Sequence, residues 1–208
     1  MNRTLSFCAL VMLLSPAVSL AQSAAPVARE RREVTFNEIE RGFYFAASGG
    51  PFFFLKPPAD RGPRPFSSGQ MARLEMGFDI GERLSVGVFG MFTANRAGSD
   101  YLGEGTGSAS GDFSMLVPGA TARFSFVGLN DAQQVKRTWF YVRAGAGYAL
   151  FRPKALLPDP DILVFAGPGV EYYTRLRHFS VGVEVTGSLL VSSSSFAVAV
   201  TPNLKYAF

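Results

Sequence analysis

Apolar and polar side chains alternate over residues 70–80, Met71 apart. Ala72, Leu74, Met76, Phe78 and Ile80 fall on one face, and Met71, Arg73, Glu75, Gly77 and Asp79 on the other. A period of two marks an extended strand whose faces meet different surroundings. The same alternation sets Leu84, Val86 and Val88 against Ser85 and Gly87. It sets Phe179, Val181, Val183 and Val185 against Ser180, Gly182, Glu184 and Thr186. The end of the chain repeats it, with Phe196, Val198, Val200, Leu204, Tyr206 and Phe208 opposite Ala197, Ala199, Thr201, Asn203 and Lys205. In all, the pattern predicts eight strands, at 41–53, 69–80, 83–95, 113–127, 138–151, 161–175, 178–191 and 195–208. Most exceed the ~5–6 residues of a soluble strand and suit the ~9–11 needed to cross a bilayer at a tilt.

The connections differ in kind. Residues 54–68 are Pro-rich, 96–111 are Gly- and Ser-rich, and 152–160 carry Pro153, Pro158 and Pro160. Tight links fall between them, near Gly81-Glu82 and at Leu176-Arg177. Long loops at one end and short turns at the other are the habit of outer-membrane barrels. The links 128–136 and 191–194 depart from it, one long for a short turn and one short for an outer loop. Arg83-Leu84-Ser85-Val86-Gly87-Val88 resembles His178-Phe179-Ser180-Val181-Gly182-Val183, and Pro118-Gly119, Pro168-Gly169 and Pro202-Asn203 each lie midway along a strand. The expected unit is a repeated hairpin. Because proline cannot donate to a ladder, these prolines are expected at bulges.

Composition narrows the setting. Hydrophobic residues make up 48% of the 208, with 20 Phe and 22 Gly. Beyond the N-terminus, though, no run approaches the ~20 apolar residues of a membrane helix. Residues 1–21 read as a secretory signal: Arg3 is the positive region, 5–14 the apolar region, and Ser19-Leu20-Ala21 the small-residue site, with Ala24 as the alternative cut. Residues 22–40 are polar and charged and read as a periplasmic lead-in, and 41–208 as the barrel. The single Cys8 leaves with the signal, which excludes disulfides and thiolate chemistry from the mature chain. The net charge of +4 is dispersed and gives no reason to expect nucleic acid as a partner.

In hydrocarbon every backbone N–H and C=O must be paired, which leaves exported strands one solution, a closed barrel. The expected fold is therefore all-β, an eight-stranded antiparallel up-and-down transmembrane β-barrel in contact with outer-membrane lipid, with both mature termini periplasmic. Phe43, Phe45, Phe78, Phe124, Phe126, Phe140, Tyr172, Phe179, Tyr206 and Phe208 then form an aromatic girdle at one interface. The opposite parity carries Arg73, Glu75, Arg123, Arg143, Glu171, Glu184 and Lys205. An eight-stranded barrel has a filled interior, and charges survive there only when paired. These seven are expected to form a lumen charge network that plugs the barrel; the alternative is a narrow pore for small solutes.

The ending Leu204-Lys205-Tyr206-Ala207-Phe208 resembles the C-terminal signal of outer-membrane barrels. It implies recognition by the barrel assembly machinery through Leu204, Tyr206 and Phe208. Residues 41–208 resemble the small OmpA- and OmpX-type barrels in architecture. Thr35-Phe36-Asn37-Glu38-Ile39-Glu40-Arg41-Gly42, Gly49-Gly50-Pro51-Phe52-Phe53 and Val117-Pro118-Gly119-Ala120-Thr121-Ala122-Arg123 resemble myxobacterial outer-membrane proteins of adventurous gliding motility, the Cgl type. That resemblance implies a non-enzymatic envelope role in motility, with envelope or motility proteins met through the outer loops.

Candidate chemistry is sparse. His178-Phe179-Ser180 with Glu184 on the same parity resembles the His-x-Ser pair of PagL-type lipid A deacylases, and a histidine-activated serine is a fit nucleophile for an ester. Against it, Val181 stands where that family has Asn, Arg83 occupies the matching place in the repeat, and His178 falls at the periplasmic end. Gly103-x-Gly105-x-Gly107 lacks the lysine and following helix of a phosphate loop. Asp159 and Asp161 are too few for a Ca²⁺ site and read as a solvated turn. No catalytic residue, cofactor or metal is expected.

Overall fold

A computed structural model of the chain describes residues 39–56, 66–97, 112–152 and 159–208. The expected signal 1–21, nearly all of the lead-in 22–40, the Gly103–Gly107 stretch and the greater part of the three long loops lie outside the described residues. Eight strands follow one another: β1 Phe43–Lys56, β2 Phe66–Ile80, β3 Leu84–Ala97, β4 Asp112–Asn130, β5 Lys136–Arg152, β6 Asp161–Tyr173, β7 Phe179–Leu190 and β8 Ser195–Ala207. Each pairs antiparallel with the next, and β8 pairs with β1 to close the barrel. No helix among the described residues is long and apolar enough to cross a membrane.

The period-two pattern becomes inside and outside. On β2, Met71, Arg73, Glu75 and Asp79 are buried in the lumen, while Leu74, Met76, Phe78 and Ile80 stand exposed on the outer wall. Leu74 is 70% exposed and Val88 55%. An unbroken apolar belt of this kind is foreign to a water-facing surface and natural where lipid is the solvent. Phe43, Phe45, Phe78, Phe124, Phe126, Phe140, Tyr172 and Phe208 are all exposed on this wall. They gather toward the end where β1 begins and β8 stops. Phe43, Phe45 and Phe208 pack there with centroids 5.1–5.9 Å apart.

The link between β4 and β5 is shorter than expected, because the strands run on to Asn130 and back from Lys136. The carboxylate of Asp131 organises what remains. It accepts the N–H of Gln133 at 2.8 Å and of Val135 at 3.1 Å, and Nε of Arg137 at 2.7 Å. Partial burial pushes the Asp131 carboxyl up, but these hydrogen bonds and the Arg137 charge outweigh it and hold it below the usual carboxylate range. A depressed folded-state pKa adds stability that is present above about pH 4 and lost as pH falls through the folded value. The Val135 amide is therefore expected to exchange faster once pH drops well below the ordinary carboxylate range, and in Asp131→Asn already at neutral pH. Hydrogen exchange read at that amide checks both.

The mid-strand prolines are not at bulges. Leu116↔Leu150 and Gly119↔Gly147 share one register across Pro118. Ala166↔Gly187 and Gly169↔Glu184 share one across Pro168, as do Ser48↔Asn203 and Phe52↔Ala199 across Pro51 and Pro202. Proline has no N–H to give, so the ladder skips those rungs without slipping. On the other side Pro118, Pro168 and Pro202 keep partners in Gly90, Val142 and Val183. The true register shifts lie toward strand ends, at Phe54/Lys56, Phe66/Gly69, Ser125/Val127 and Leu129/Asn130.

Beside Pro168 the neighbouring strand closes in. A Cβ on Gly167 would lie 1.9 Å from the carbonyl oxygen of Val185, which is backbone and cannot swing away. Gly167→Ala is expected to lower stability by about 1–3 kcal/mol, the usual cost of overpacking. Gly90→Ala, with nothing within 4 Å of the new methyl, is expected to stay within about 0.5 kcal/mol of the parent. Urea unfolding in lipid vesicles measures the contrast.

Candidate functional site

The lumen is built in two storeys. Nearest the end where β1 starts, the guanidinium of Arg41 lies over the rings of Trp139 and Tyr173, at 5.4 and 5.3 Å. Its Nη1 donates to the Glu82 carbonyl at 2.8 Å. Just inside, Lys205 Nζ donates to both oxygens of Asp79, at 2.7 and 2.9 Å, and sits 4.3 Å from the centre of the Tyr44 ring. Asp79 also accepts the Ser85 hydroxyl at 2.6 Å. Arg123 pairs with Glu171 at 2.8 Å and reaches Asp79 at 3.6 Å. Glu171 accepts the Ser180 hydroxyl at 2.7 Å.

The next layer joins β2, β5 and β7. Arg73 pairs with Glu184, and Arg143 with Glu75. Nε of Arg143 lies 3.0 Å from Glu184. Tyr44 donates to Glu75 at 2.7 Å and Tyr141 to Glu184 at 3.1 Å. Arg123 and Arg143 are direct cross-strand neighbours, a placement that repels unless each has its own counter-charge. Glu171 serves one and Glu75 the other, and the Tyr141 ring lies under both guanidinium groups at 5.1 and 5.9 Å. The structure thus brings Arg73, Glu75, Arg123, Arg143, Glu171, Glu184 and Lys205 into one network, all of them buried. Sequence reasoning left out Asp79, although it shares the parity of Arg73 and Glu75. It balances Lys205, so the four cations face four carboxylates.

Toward the loop end apolar side chains come to dominate the lumen, with Thr93 and Asn95 buried there as well. Phe52, Met71, Phe89, Met91, Phe113, Met115, Phe151, Leu163 and Phe165 form a single cluster with Leu190, Ala197 and Ala199. Phe89 meets Phe165 edge to face at 5.4 Å. Met115, Val117, Tyr141 and Phe151 have no exposure at all. This upper plug was missed, because its residues continue the parity of Ser85, Arg123 and Arg143 while being apolar themselves.

The His-x-Ser pair is not arranged as nucleophile and base. Ser180 points into the lumen and gives its hydroxyl to Glu171, and Glu184 is engaged by Arg73 and Tyr141. His178 Nδ1 lies 2.7 Å from the Ala207 carbonyl, and its ring stacks on Tyr206 at 5.3 Å. Asp161 is not a solvated turn residue either. It is fully buried and accepts the N–H groups of Ile162, Ser192 and Ser193 and the Ser193 hydroxyl, at 2.7–3.0 Å. It caps the β7–β8 turn. Among the described residues no group of His, Cys and carboxylate side chains could hold a metal ion. Leu204 and Phe208 face outward, and Tyr206 meets Phe179 and Phe208 edge to face, both at 4.9 Å.

No protein-family model matches the sequence, and no curated protein matches it. Solved structures do share its shape. Neisserial surface protein A superposes with a TM-score of 0.58 at 15% identity, over 82% of this chain and 100% of that one. The outer-membrane protein OprG of Pseudomonas aeruginosa gives 0.52 at 11% identity, over 83% of this chain and 99% of that one. These likenesses show the fold, that of the eight-stranded outer-membrane barrels.

Proposed function

We propose that this chain is an exported outer-membrane protein with a closed lumen, which acts through its outer loops as a structural or interaction component of the envelope and not as an enzyme. Residues 1–21 direct export, and the assembly machinery reads Leu204, Tyr206 and Phe208. Both mature termini face the periplasm, so the loops 54–68, 96–111 and 152–160 meet the outside. The exposed apolar belt and its aromatic girdle support insertion in the membrane.

The observation that carries the closed-lumen reading is the two-storey filling. A neutral ion-pair layer lies beneath an apolar plug whose largest side chains are sealed from solvent. A water-filled path would have to break both. The refolded mature protein is expected to pass no steady current across a planar bilayer, with folding verified by faster gel migration of the unboiled sample. Reproducible channel steps would replace this reading with the narrow pore. The finer role in gliding motility rests on the three resembling segments alone, and the spreading of a deletion strain on a surface tests it.

A further inference from the structure

We infer that the outer wall over β8, β1, β2 and β3 holds one acyl chain of an anionic phospholipid, with the headgroup phosphate met by Arg83. The inference rests on the membrane-inserted reading above. The wall is dented there by a groove of about 440 Å³. Its cause is local. In register, Ala47 and Gly90 flank Leu74 on its two neighbouring strands. The wall is thin on both sides of that one leucine, and at Gly90 a side chain is missing where nothing else fills the space within 4 Å. Phe45, Met76 and Tyr206 form the lower rim. The lining is apolar apart from Glu75, whose carboxylate is turned inward to Arg143 and Tyr44.

A slender flexible chain fits this concavity, whereas the convex wall of a second barrel would touch only its rims. The strip continues downward through Phe43 and Phe78 to the turn that holds Gly81, Glu82 and Arg83. Arg83, in the turn just before β3, lies five residues from Val88. That is roughly 16 Å along the chain at ~3.3 Å per residue and about 12 Å in depth at a strand tilt of about 40°, which approaches the ~15 Å hydrocarbon depth of one leaflet. A lipid with its chain in the groove therefore has its phosphate at that turn. Arg83 is exposed and has no ion-pair partner among the described residues. The one carboxylate beside it, Glu82, lies 4.0 Å from Lys136, and Arg41 is tied to the Glu82 carbonyl. The balance at the turn favours an anion, and a guanidinium suits a phosphate as a bidentate donor.

Native mass spectrometry of the protein in mild detergent, offered phosphatidylglycerol and phosphatidylethanolamine of equal chain length in equal amounts, tests this. The expected result is a one-lipid state in which phosphatidylglycerol dominates by about fivefold: both lipids offer Arg83 a phosphate, but the ammonium of phosphatidylethanolamine offsets that charge beside Arg83, an effect of the size of one exposed charge interaction. Gly90→Leu, which fills the groove, is expected to strip both lipids. Arg83→Gln is expected to equalise the two lipids without abolishing retention. Retention unchanged in Gly90→Leu, no retained lipid in the parent, or a dimer without lipid would each overturn the inference. The gel shift and protection from protease in vesicles are read on every sample. A chain that inserts but keeps no lipid refutes the groove alone, while a chain that never inserts refutes the membrane reading beneath it.

Discussion

Glu184→Leu is expected to cost about 3–5 kcal/mol of stability, the toll of leaving a buried charge uncompensated. Glu184 is the shared counter-ion of Arg73 and Arg143, and it also accepts the Tyr141 hydroxyl. Without it Arg143 keeps Glu75, but among the described residues Arg73 keeps only the Phe165 ring, 5.6 Å away. The loss should therefore be specific to Arg73. Adding Arg73→Met to Glu184→Leu is expected to recover most of it, because an apolar pair of similar volume often replaces a buried ion pair at little cost. Urea unfolding in vesicles, followed through the single tryptophan, Trp139 inside the lumen, reads the cycle. If the double variant is no better than Glu184→Leu alone, the network is not what that carboxylate sustains.

Leu74→Arg is the complementary experiment on the outer wall. Leu74 is the most exposed large hydrophobic residue among those described. In a water-soluble protein an arginine there would be harmless or helpful. In a bilayer it is expected to destabilise by about 2–4 kcal/mol, as for charges near the midplane on the lipid face of such barrels. The same substitution at Leu176, in the β6–β7 turn and 66% exposed, is expected to change stability by less than about 1 kcal/mol, because the penalty fades toward the interface. Equal effects at the two positions would deny the belt its lipid.

These two sites also mark what the sequence made legible and what it did not. Strands such as β2 and β7 could be read because one face is charged or small while the other is uniformly apolar. Alternation then names both the strand and its outward face. The rule weakens where both faces are apolar. Phe52, Phe53 and Phe54 follow one another on β1, and only closure of the barrel sends Phe52 inward and leaves Phe53 on the wall. The upper plug was hidden for the same reason, since a side chain inside a sealed barrel is as far from water as one in lipid. Asp79 was visible as a lumen residue by its parity with Arg73 and Glu75, but that it is the partner of Lys205 follows only from the closed barrel. The prolines misled because they were assigned to bulges, whereas a barrel strand has two ladders and can forgo a rung in one.

The ion pair between Lys205 and Asp79 spans β8 and β2, reaching past β1, which lies between them. It forms only once β8 has paired with β1, so it ties the interior to the closed ring. A chain lacking its last hairpin would lose Glu184 and Lys205 together, one charge of each sign, and its net charge would be unchanged. Arg73 and Asp79, both on β2, would nonetheless face the lumen with their principal partners gone. A six-stranded remnant would keep three lumen cations and three carboxylates, so its defect would lie in the lost pairing of Arg73 and Asp79 and not in its net charge.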